Sequence, residues 1–351
     1  MSAELELTED FSTGADYLSM DPNNALASKM AIYVRPGEKF SDVFGSSGRE
    51  VIAAMDEAGD DIAHQKPEHR LTLASAGVTR TQVPVSIADP LESSLQTLVY
   101  CDVVALTEVP ANKRGIHMSR MSDCIARLSG VSFRSLQEYA SALAEKIRQG
   151  QYGGPTTISV SCSYSYLEQI PGRTPDKDKI SLENIGLRAG SRQTRGEDRQ
   201  SAGITLTNIT ACPCVQQTLK HATLEDARLL PTLTHSQRCE TSFSVEDITG
   251  LLPVKELLES LDSVLVRTRN TLPREYEALL VYNAHRSPQF MEDVVRQAMM
   301  GGYNVLKDLF PESRLRVSSR CMESIHAFDI TCELEFSIRD LRDLNNSGQQ
   351  R

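Results

Sequence analysis

The clearest pattern in the chain is an alternation of apolar and polar side chains over residues 158–166. Ile158, Val160 and Cys162 alternate with serines, which gives this segment one apolar and one polar face. A period of two is that of a β-strand with one buried face, so the pattern predicts a strand. Further strands are predicted where Val, Thr and Leu are frequent or apolar residues alternate, at residues 78–87, 95–109, 203–206 and 328–336.

Apolar residues at helical spacing lie between these strands. Ser135 and Glu138 have the spacing of a capping box ahead of such a segment, and Gly150 marks its end. They predict a helix between them. Other predicted helices begin after Met118, at Pro253 and at Ser287-Pro288, and the last of these ends at Gly301-Gly302.

The order of the elements divides the chain into two similar halves, each with strands, helices and strands, which is typical of an α+β fold. Residues 1–25 are polar and acidic without periodicity and are predicted to form a mobile arm. Residues 26–212 are predicted to form a first unit, and residues 213–351 a second unit with a polar tail. Within the first unit, the charged segment 171–200 is predicted to be a long surface loop.

Composition and charge exclude several classes of protein. A formal net charge of -10 argues against a nucleic-acid binder, because neutralising phosphates requires a basic face. The first residues are acidic where a secretory signal is basic and then apolar, and no apolar run approaches the roughly 20 residues of a membrane span. The eight cysteines are too sparse for a disulfide scaffold. We therefore expect a cytoplasmic protein that binds neither nucleic acid nor membrane.

Short polar motifs in the second half of the chain provide the candidate chemistry. A thiol, an imidazole and a carboxylate lie on separate segments at Cys212, His235 and Glu277. Three such ligands leave one position of a divalent metal open for water. Glu323 and His326 add a carboxylate and an imidazole that can hold a substrate and move its protons. Singly, each of these residues is more often a structural thiol, imidazole or carboxylate than a functional one.

Two further features bear on binding. In Cys212-Pro213-Cys214 a single proline separates the thiols, so chelation of one metal by both is strained, and we expect one ligand and one neighbour. The basic segment 113–120 joins a strand to a helix, which makes it either an anion site or a solvated surface. The chain has no glycine-rich phosphate loop of the P-loop type. Clustered basic side chains are therefore the alternative for holding a nucleotide's phosphates.

In their order along the chain, these motifs resemble those of the GTP cyclohydrolases of type IB and their archaeal-type (type IV) relatives. The resemblance implies a bimodular tunnelling fold (T-fold) with two β-β-α-α-β-β units per subunit. It also implies a barrel-forming homotetramer with active sites at subunit interfaces. The matching segments are residues 115–120, 210–214, 235–238, 284–296 and 323–326, within about 71–341.

The resemblance implies hydrolysis of GTP at C8 with release of formate, to give a 7,8-dihydroneopterin triphosphate or 2′,3′-cyclic phosphate in pterin and folate biosynthesis. It implies Cys212, His235 and Glu277 as ligands of one Fe(II), Mn(II) or Zn(II) ion. Cys214 is implied as a neighbouring active-site thiol, and His326 as an acid/base partner.

On the substrate side, the resemblance implies Glu323 as the guanine anchor. A carboxylate accepts two parallel N–H bonds, and guanine offers such a pair at N1 and the 2-amino group. Lys113, His117 and Arg120 are implied as contacts on the phosphate side. A non-catalytic relative that binds a purine or pterin is the alternative, and a metal-binding structural protein is a third.

This chain departs from the family pattern in two places. Val215-Gln216 stands where type IB enzymes usually have Ser-Lys and archaeal-type enzymes Ala-Gln, which favours the archaeal type. Tyr276-Glu277 stands where Asp-Glu is usual, so a carboxylate is missing beside a predicted ligand.

Overall fold

The computed structural model describes residues 62–170, 178–223 and 231–347. The chain divides into Met1–Ile62, of which only Ile62 is described, and Ala63–Arg351, which contains the strands and α-helices of the described residues. The predicted mobile arm at residues 1–25 lies outside the described residues.

The strands of the described residues form one ten-stranded sheet. In chain order they are β1 (Leu73–Ala88), β2 (Gln96–Val109), β3 (Ser132–Phe133), β4 (Thr156–Ile170), β5 (Lys179–Thr194), β6 (Glu197–Ala211), β7 (Ser236–Glu246), β8 (Val266–Arg267), β9 (Arg314–Met322) and β10 (Ile330–Ser337). Across the sheet their order is β10-β9-β7-β6-β5-β4-β2-β1-β3, and β8 also pairs with β6. All neighbours are antiparallel except β1 and β3.

Helices pack against the sheet and complete the core. In the described residues they are α1 (Met118–Ser129), α2 (Leu136–Gly150), α3 (Pro213–Thr223), α4 (Val254–Val264), α5 (Arg274–Arg286), α6 (Met291–Leu306) and α7 (Ile338–Asn346). Tyr139 of α2, Phe243 of β7 and Leu257 of α4 are among its fully buried side chains. No helix in these parts of the chain is long and apolar enough to cross a membrane.

The continuous sheet corrects the predicted fold class. The expected bimodular tunnelling fold, with two β-β-α-α-β-β units per subunit, is wrong for this chain, because one ladder of hydrogen bonds spans all the strands. β5 and β6 are joined by a tight turn in which Gly196 has φ +90°, a conformation that glycine adopts without steric cost. β6 then pairs with β7, so the sheet continues across the predicted boundary between residues 212 and 213.

The predicted surface loop at residues 171–200 is wrong over its described part. Residues 179–194 form β5, which pairs with β4 along its whole length, and β6 begins at Glu197. The strand escaped prediction because much of its buried face is polar. Ser181 and Glu183 both point inward, and the Ser181 hydroxyl donates to the Glu183 carboxylate at 2.6 Å.

The helix signals in the sequence were partly right. The predicted cap of α2 is confirmed, since the Ser135 side chain accepts a hydrogen bond from the Glu138 backbone N–H at 3.2 Å, and α2 ends at Gly150. The predicted limits of α6 are wrong at both ends. This helix begins at Met291 instead of Ser287-Pro288, and it continues through both predicted stop glycines to Leu306.

Gly302 is required inside α6 by packing, which supplies a stability test. A Cβ at this position would overlap the ring of Phe243, which is buried in β7. We expect Gly302→Ala to lower the free energy of unfolding by about 1–3 kcal/mol through overpacking. Chemical denaturation measures the change. The matched variant is Gly301→Ala, whose Cβ would come closest to the Ser260 Oγ at 3.3 Å, with the other neighbouring atoms of Ser260 and Val264 at 3.5 Å or more. An equal or smaller loss in Gly302→Ala would contradict the packing argument.

A buried ion cluster surrounds β8, the short strand that pairs with β6. Arg267 is 6% exposed and its guanidinium lies 3.0 Å from the Glu168 carboxylate and 2.8 Å from that of Asp262. Arg269 contacts the same two carboxylates at 2.6 and 3.2 Å. Burial raises the pKa of Asp262 to about 6, against the opposing effect of Arg267. The cluster links β4, α4 and β8 next to the carboxyl end of β6.

Candidate active site

Three neighbouring strands terminate side by side. In the following, an edge of the sheet means the border formed by such strand ends. β6 ends at Ala211, β7 begins at Ser236 and β9 ends at Met322. Because β6 pairs with β7 and β7 with β9, all antiparallel, these three ends lie side by side. Each strand end is followed or preceded at once by a predicted site residue, namely Cys212, His235 and Glu323.

Cys212 and His235 lie opposite each other. The Cys212 backbone N–H donates to the His235 carbonyl at 3.0 Å, and the Thr234 hydroxyl donates to the Cys212 carbonyl at 2.7 Å. This extends the pairing of Ala211 with Ser236 by one residue. Opposed residues of antiparallel strands project to the same face. The thiol and the imidazole are therefore neighbours on one face of the sheet.

Glu323 joins this pair from β9. It follows Met322, which pairs with Arg238, so it lies opposite Gln237. The next residue, Ser324, hydrogen bonds through its hydroxyl to Nδ1 of His235 at 3.0 Å. Oε2 of Glu323 is buried and accepts no hydrogen bond from any described residue. This carboxylate therefore offers an unused acceptor beside the imidazole.

The third predicted metal ligand is not brought to the other two. Glu277 lies in the exposed first turn of α5, together with Glu275. Among the described residues no three His, Cys, Asp or Glu side chains form a group that could hold a metal ion. Cys212 and His235 suit a divalent transition metal by the chemistry of their donors. The structure of one chain thus assembles two of the three predicted ligands.

The two predicted catalytic residues flank this edge on exposed segments. Cys214 is exposed in the first turn of α3. His326 is exposed in the connection between β9 and β10, and its ring stacks on Phe328 with centroids 5.0 Å apart. Ile325 and Phe328 of the same connection are 58% and 60% exposed. The connection therefore presents an apolar surface around the imidazole.

The basic segment has a different environment. His117 is 6% exposed, and its ring centroid lies 4.6 Å from that of His64 and 5.4 Å from that of Tyr152. The Lys113 ammonium lies over the Tyr152 ring, and Arg120 is exposed at the start of α1. His64 lies outside the motifs that carry the resemblance, and its contact with His117 was not predicted. No local pattern in the sequence connects the two histidines.

The basic segment and the strand-end cluster lie at opposite edges of the sheet. β2 leads directly into the basic segment. It runs in the opposite direction to β6, because three successive antiparallel pairings separate the two strands. Successive pairings bring Thr107 of β2 level with Asp198 of β6, by way of Thr156 and Gln193. From that level to Ala211 the chain advances about 40 Å along β6, at roughly 3.3 Å per residue. Within one chain, the two groups of predicted site residues are too far apart to share a pocket.

Comparison with known protein families shows to which family this chain belongs. The model of the family described as type I GTP cyclohydrolase folE2 matches residues 60–332. This chain belongs to that family. It is accordingly an enzyme that acts on GTP.

The similarity of this folE2 family member to known relatives extends over most of its length. The chain is 26% identical over 302 residues to GTP cyclohydrolase MptA of Thermoplasma acidophilum, covering 81% of this chain and 98% of that protein. It is 25% identical over 304 residues to GTP cyclohydrolase MptA of Methanoculleus marisnigri, covering 80% and 96%. Among solved structures, the uricase of Arthrobacter globiformis matches at TM-score 0.45 and 10% identity, over 75% of this chain and 93% of that one. That likeness is too weak to carry an argument.

Two residues that sequence reasoning did not assign to the site support the cluster in this folE2 family member. The Gln216 side-chain amide donates to the carbonyls of Thr232 and His285 at 3.1 and 2.7 Å. His285 in turn lies with Nε2 3.3 Å from the Thr234 carbonyl. Together they hold the segment that precedes His235. Gln216 was noticed only as a departure from the type IB pattern, and its structural contacts give that departure a physical role.

Proposed function

We propose that this protein hydrolyses GTP at C8 with release of formate and forms a 7,8-dihydroneopterin phosphate in pterin biosynthesis. The observation that carries the proposal is the placement of Cys212, His235 and Glu323 at three adjoining strand ends. A thiol and an imidazole suited to a metal lie beside a buried carboxylate suited to a purine edge. Membership of the folE2 family and the names of the MptA relatives support the same reaction.

We propose Cys212, His235 and Glu277 as ligands of one divalent metal, Fe(II), Mn(II) or Zn(II). A metal of this kind supplies a hydroxide nucleophile at neutral pH. Ser324 orients the imidazole through its 3.0 Å hydrogen bond to Nδ1 of His235, so Nε2 is the nitrogen that would bind a metal. Glu277 lies on an exposed helical turn. It completes the set of three metal ligands only if α5 moves towards Cys212 and His235 or if contact with a second chain brings it there.

The remaining residues act on the substrate in this proposal. Glu323 accepts hydrogen bonds from the guanine edge, which satisfies its buried Oε2. His326 protonates a ring nitrogen as the C8–N9 bond opens, and Cys214 lies beside the reacting ring. The base must stay fixed while the ribose and phosphates rearrange, so a second binding group for the phosphates is needed.

We propose that a second copy of the chain supplies this group. The basic segment with Lys113, His117 and Arg120 lies about 40 Å along the strands from the strand ends that carry Cys212, at roughly 3.3 Å per residue. They can reach a phosphate there only from a neighbouring subunit. The exposed Ile325 and Phe328 beside His326 offer such a subunit an apolar contact. A homo-oligomer follows, and a tetramer is the size implied by the resemblance.

Anaerobic incubation of the purified protein with GTP and each of Fe(II), Mn(II) and Zn(II) tests the reaction. Formate is followed with time, the pterin is identified by mass, and protein treated with a chelator is the control. We expect formate release that depends on the metal. A triphosphate product identifies the type IB reaction, and a 2′,3′-cyclic phosphate the archaeal-type reaction. Metal binding without formate from GTP would contradict the proposal and favour a purine- or pterin-binding protein.

A further inference from the structure

Gln237 lies between the proposed metal ligand and the proposed guanine anchor. Gln237 lies in β7, two residues after His235, whose carbonyl continues the strand pairing by one residue, so both side chains project to the same face of the sheet. Continued pairing of β7 with β9 places it opposite Glu323. The two-residue step along a strand is comparable with the width of a purine. A base whose C8 faces His235 therefore has its opposite edge beside Gln237 and Glu323.

Gln237 and Glu323 converge on the same thiol. Cys321 lies with its Sγ 3.9 Å from Oε1 of Glu323, and the Gln237 side chain hydrogen bonds to the same sulfur. One oxygen of each side chain stays unused, because neither Oε1 of Gln237 nor Oε2 of Glu323 has a hydrogen-bond partner among the described residues. Both atoms are buried. Two buried acceptors side by side cost free energy until donors reach them.

Beyond Gln237 and Glu323, the side chains on the same face of β7 and β9 are hydrogen bonded to one another. Cys239 donates to Cys321 with their sulfurs 3.4 Å apart, and this hydrogen bond lowers the pKa of the Cys321 thiol. One step further along the same face, the Thr241 hydroxyl contacts the Ser319 hydroxyl at 2.8 Å and the Asn208 amide oxygen at 2.7 Å. Gln237 and Glu323 contact this row of hydrogen-bonded side chains through Cys321, which favours a fixed position of their acceptors before the ligand arrives.

We propose that Gln237 reads the 2-amino group of guanine beside Glu323. The Watson–Crick edge of guanine carries three N–H bonds, one at N1 and two on the 2-amino group. Glu323 accepts from N1–H and from one amino N–H, and Oε1 of Gln237 accepts from the other. Hypoxanthine keeps N1–H but has no 2-amino group, so it leaves Gln237 unpaired. This inference rests on the proposed function and makes Gln237 a specificity residue for guanine over hypoxanthine.

The test compares GTP with ITP, whose base is hypoxanthine, on the wild-type protein and on Gln237→Leu. We expect Gln237→Leu to lower kcat/KM for GTP about tenfold, as for loss of one buried hydrogen bond, and to leave kcat/KM for ITP nearly unchanged. The preference for GTP over ITP then falls about tenfold, and the share that Glu323 contributes through its own bond to the 2-amino group remains. An equal loss with both nucleotides, or no loss with GTP, overturns the assignment, because a merely structural glutamine does not distinguish the bases.

Two further variants keep the result interpretable. Gln193→Leu removes another buried amide, at the opposite edge of the sheet, and we expect it to leave the GTP to ITP ratio unchanged. Gln237→Asn keeps the acceptor on a shorter side chain and replaces Gln237→Leu if the latter does not fold, with a smaller loss expected for GTP alone. If the wild-type protein releases no formate from GTP, the proposed function fails. Equilibrium binding of GTP and ITP to the same variants then still tests Gln237.

Discussion

Cys212→Ala is expected to abolish formate release from GTP and to remove the bound metal. Under the proposed function this thiol is the only sulfur ligand, and its loss leaves His235 and Glu277 as the remaining protein ligands. A site without its thiolate binds a divalent metal far more weakly. We expect the metal content of the purified protein, measured by elemental analysis, to fall below about one tenth of the wild-type value. Formate release is expected to fall at least as far.

Cys124→Ala is the matched control for this experiment. Cys124 is also a free, partly buried thiol, but it lies on α1, at the edge of the sheet away from Cys212. We expect this variant to keep both its metal and its activity. Full metal content in Cys212→Ala, measured on protein that unfolds at the wild-type temperature, would show that Cys212 is not a ligand. Formate release from that variant would then require a different metal site.

Mixed oligomers of two inactive variants are expected to regain about a quarter of the wild-type activity. Cys212→Ala damages the strand-end cluster, and Arg120→Ala damages the basic segment at the other edge of the sheet. If each site draws one edge from each of two subunits, random mixing at equal amounts leaves about one site in four with both edges intact. Co-expression with two different affinity tags and purification over both supplies the mixed species. Formate release from GTP is the measurement.

The control mixes Cys212→Ala with His235→Ala. Both changes damage the same edge, so no arrangement of subunits restores a complete site, and we expect no activity. Recovery in this control would mean that the regained activity does not come from shared sites. No recovery in the Cys212→Ala and Arg120→Ala mixture, with mixed oligomers demonstrated, would place the phosphate contacts elsewhere in the chain.

Local signals predicted an element where a few adjacent residues determine its structure. The serine alternation of residues 158–166 predicted part of β4, and the Ser135 cap predicted the start of α2. Prediction failed where the deciding interaction is remote in sequence. β5 carries inward-facing Ser181 and Glu183, whose polarity is compensated by neighbours that the sequence does not reveal. Gly302 lies inside a helix instead of ending it, and its glycine is required because the Phe243 ring occupies the space that a side chain would fill.

The sequence by itself determined the family, because the order and the residue types of its motifs can be recognised without a structure. It also determined which donors are present, the thiol, the imidazole and the carboxylates. Only the tertiary structure decided which of them meet. Strand pairing brings Cys212 to His235 and sets Gln237 between His235 and Glu323, while it leaves Glu277 and the basic segment apart. The physical reason is that register depends on hydrogen bonds between distant strands, and a single sequence contains no local signal for that choice.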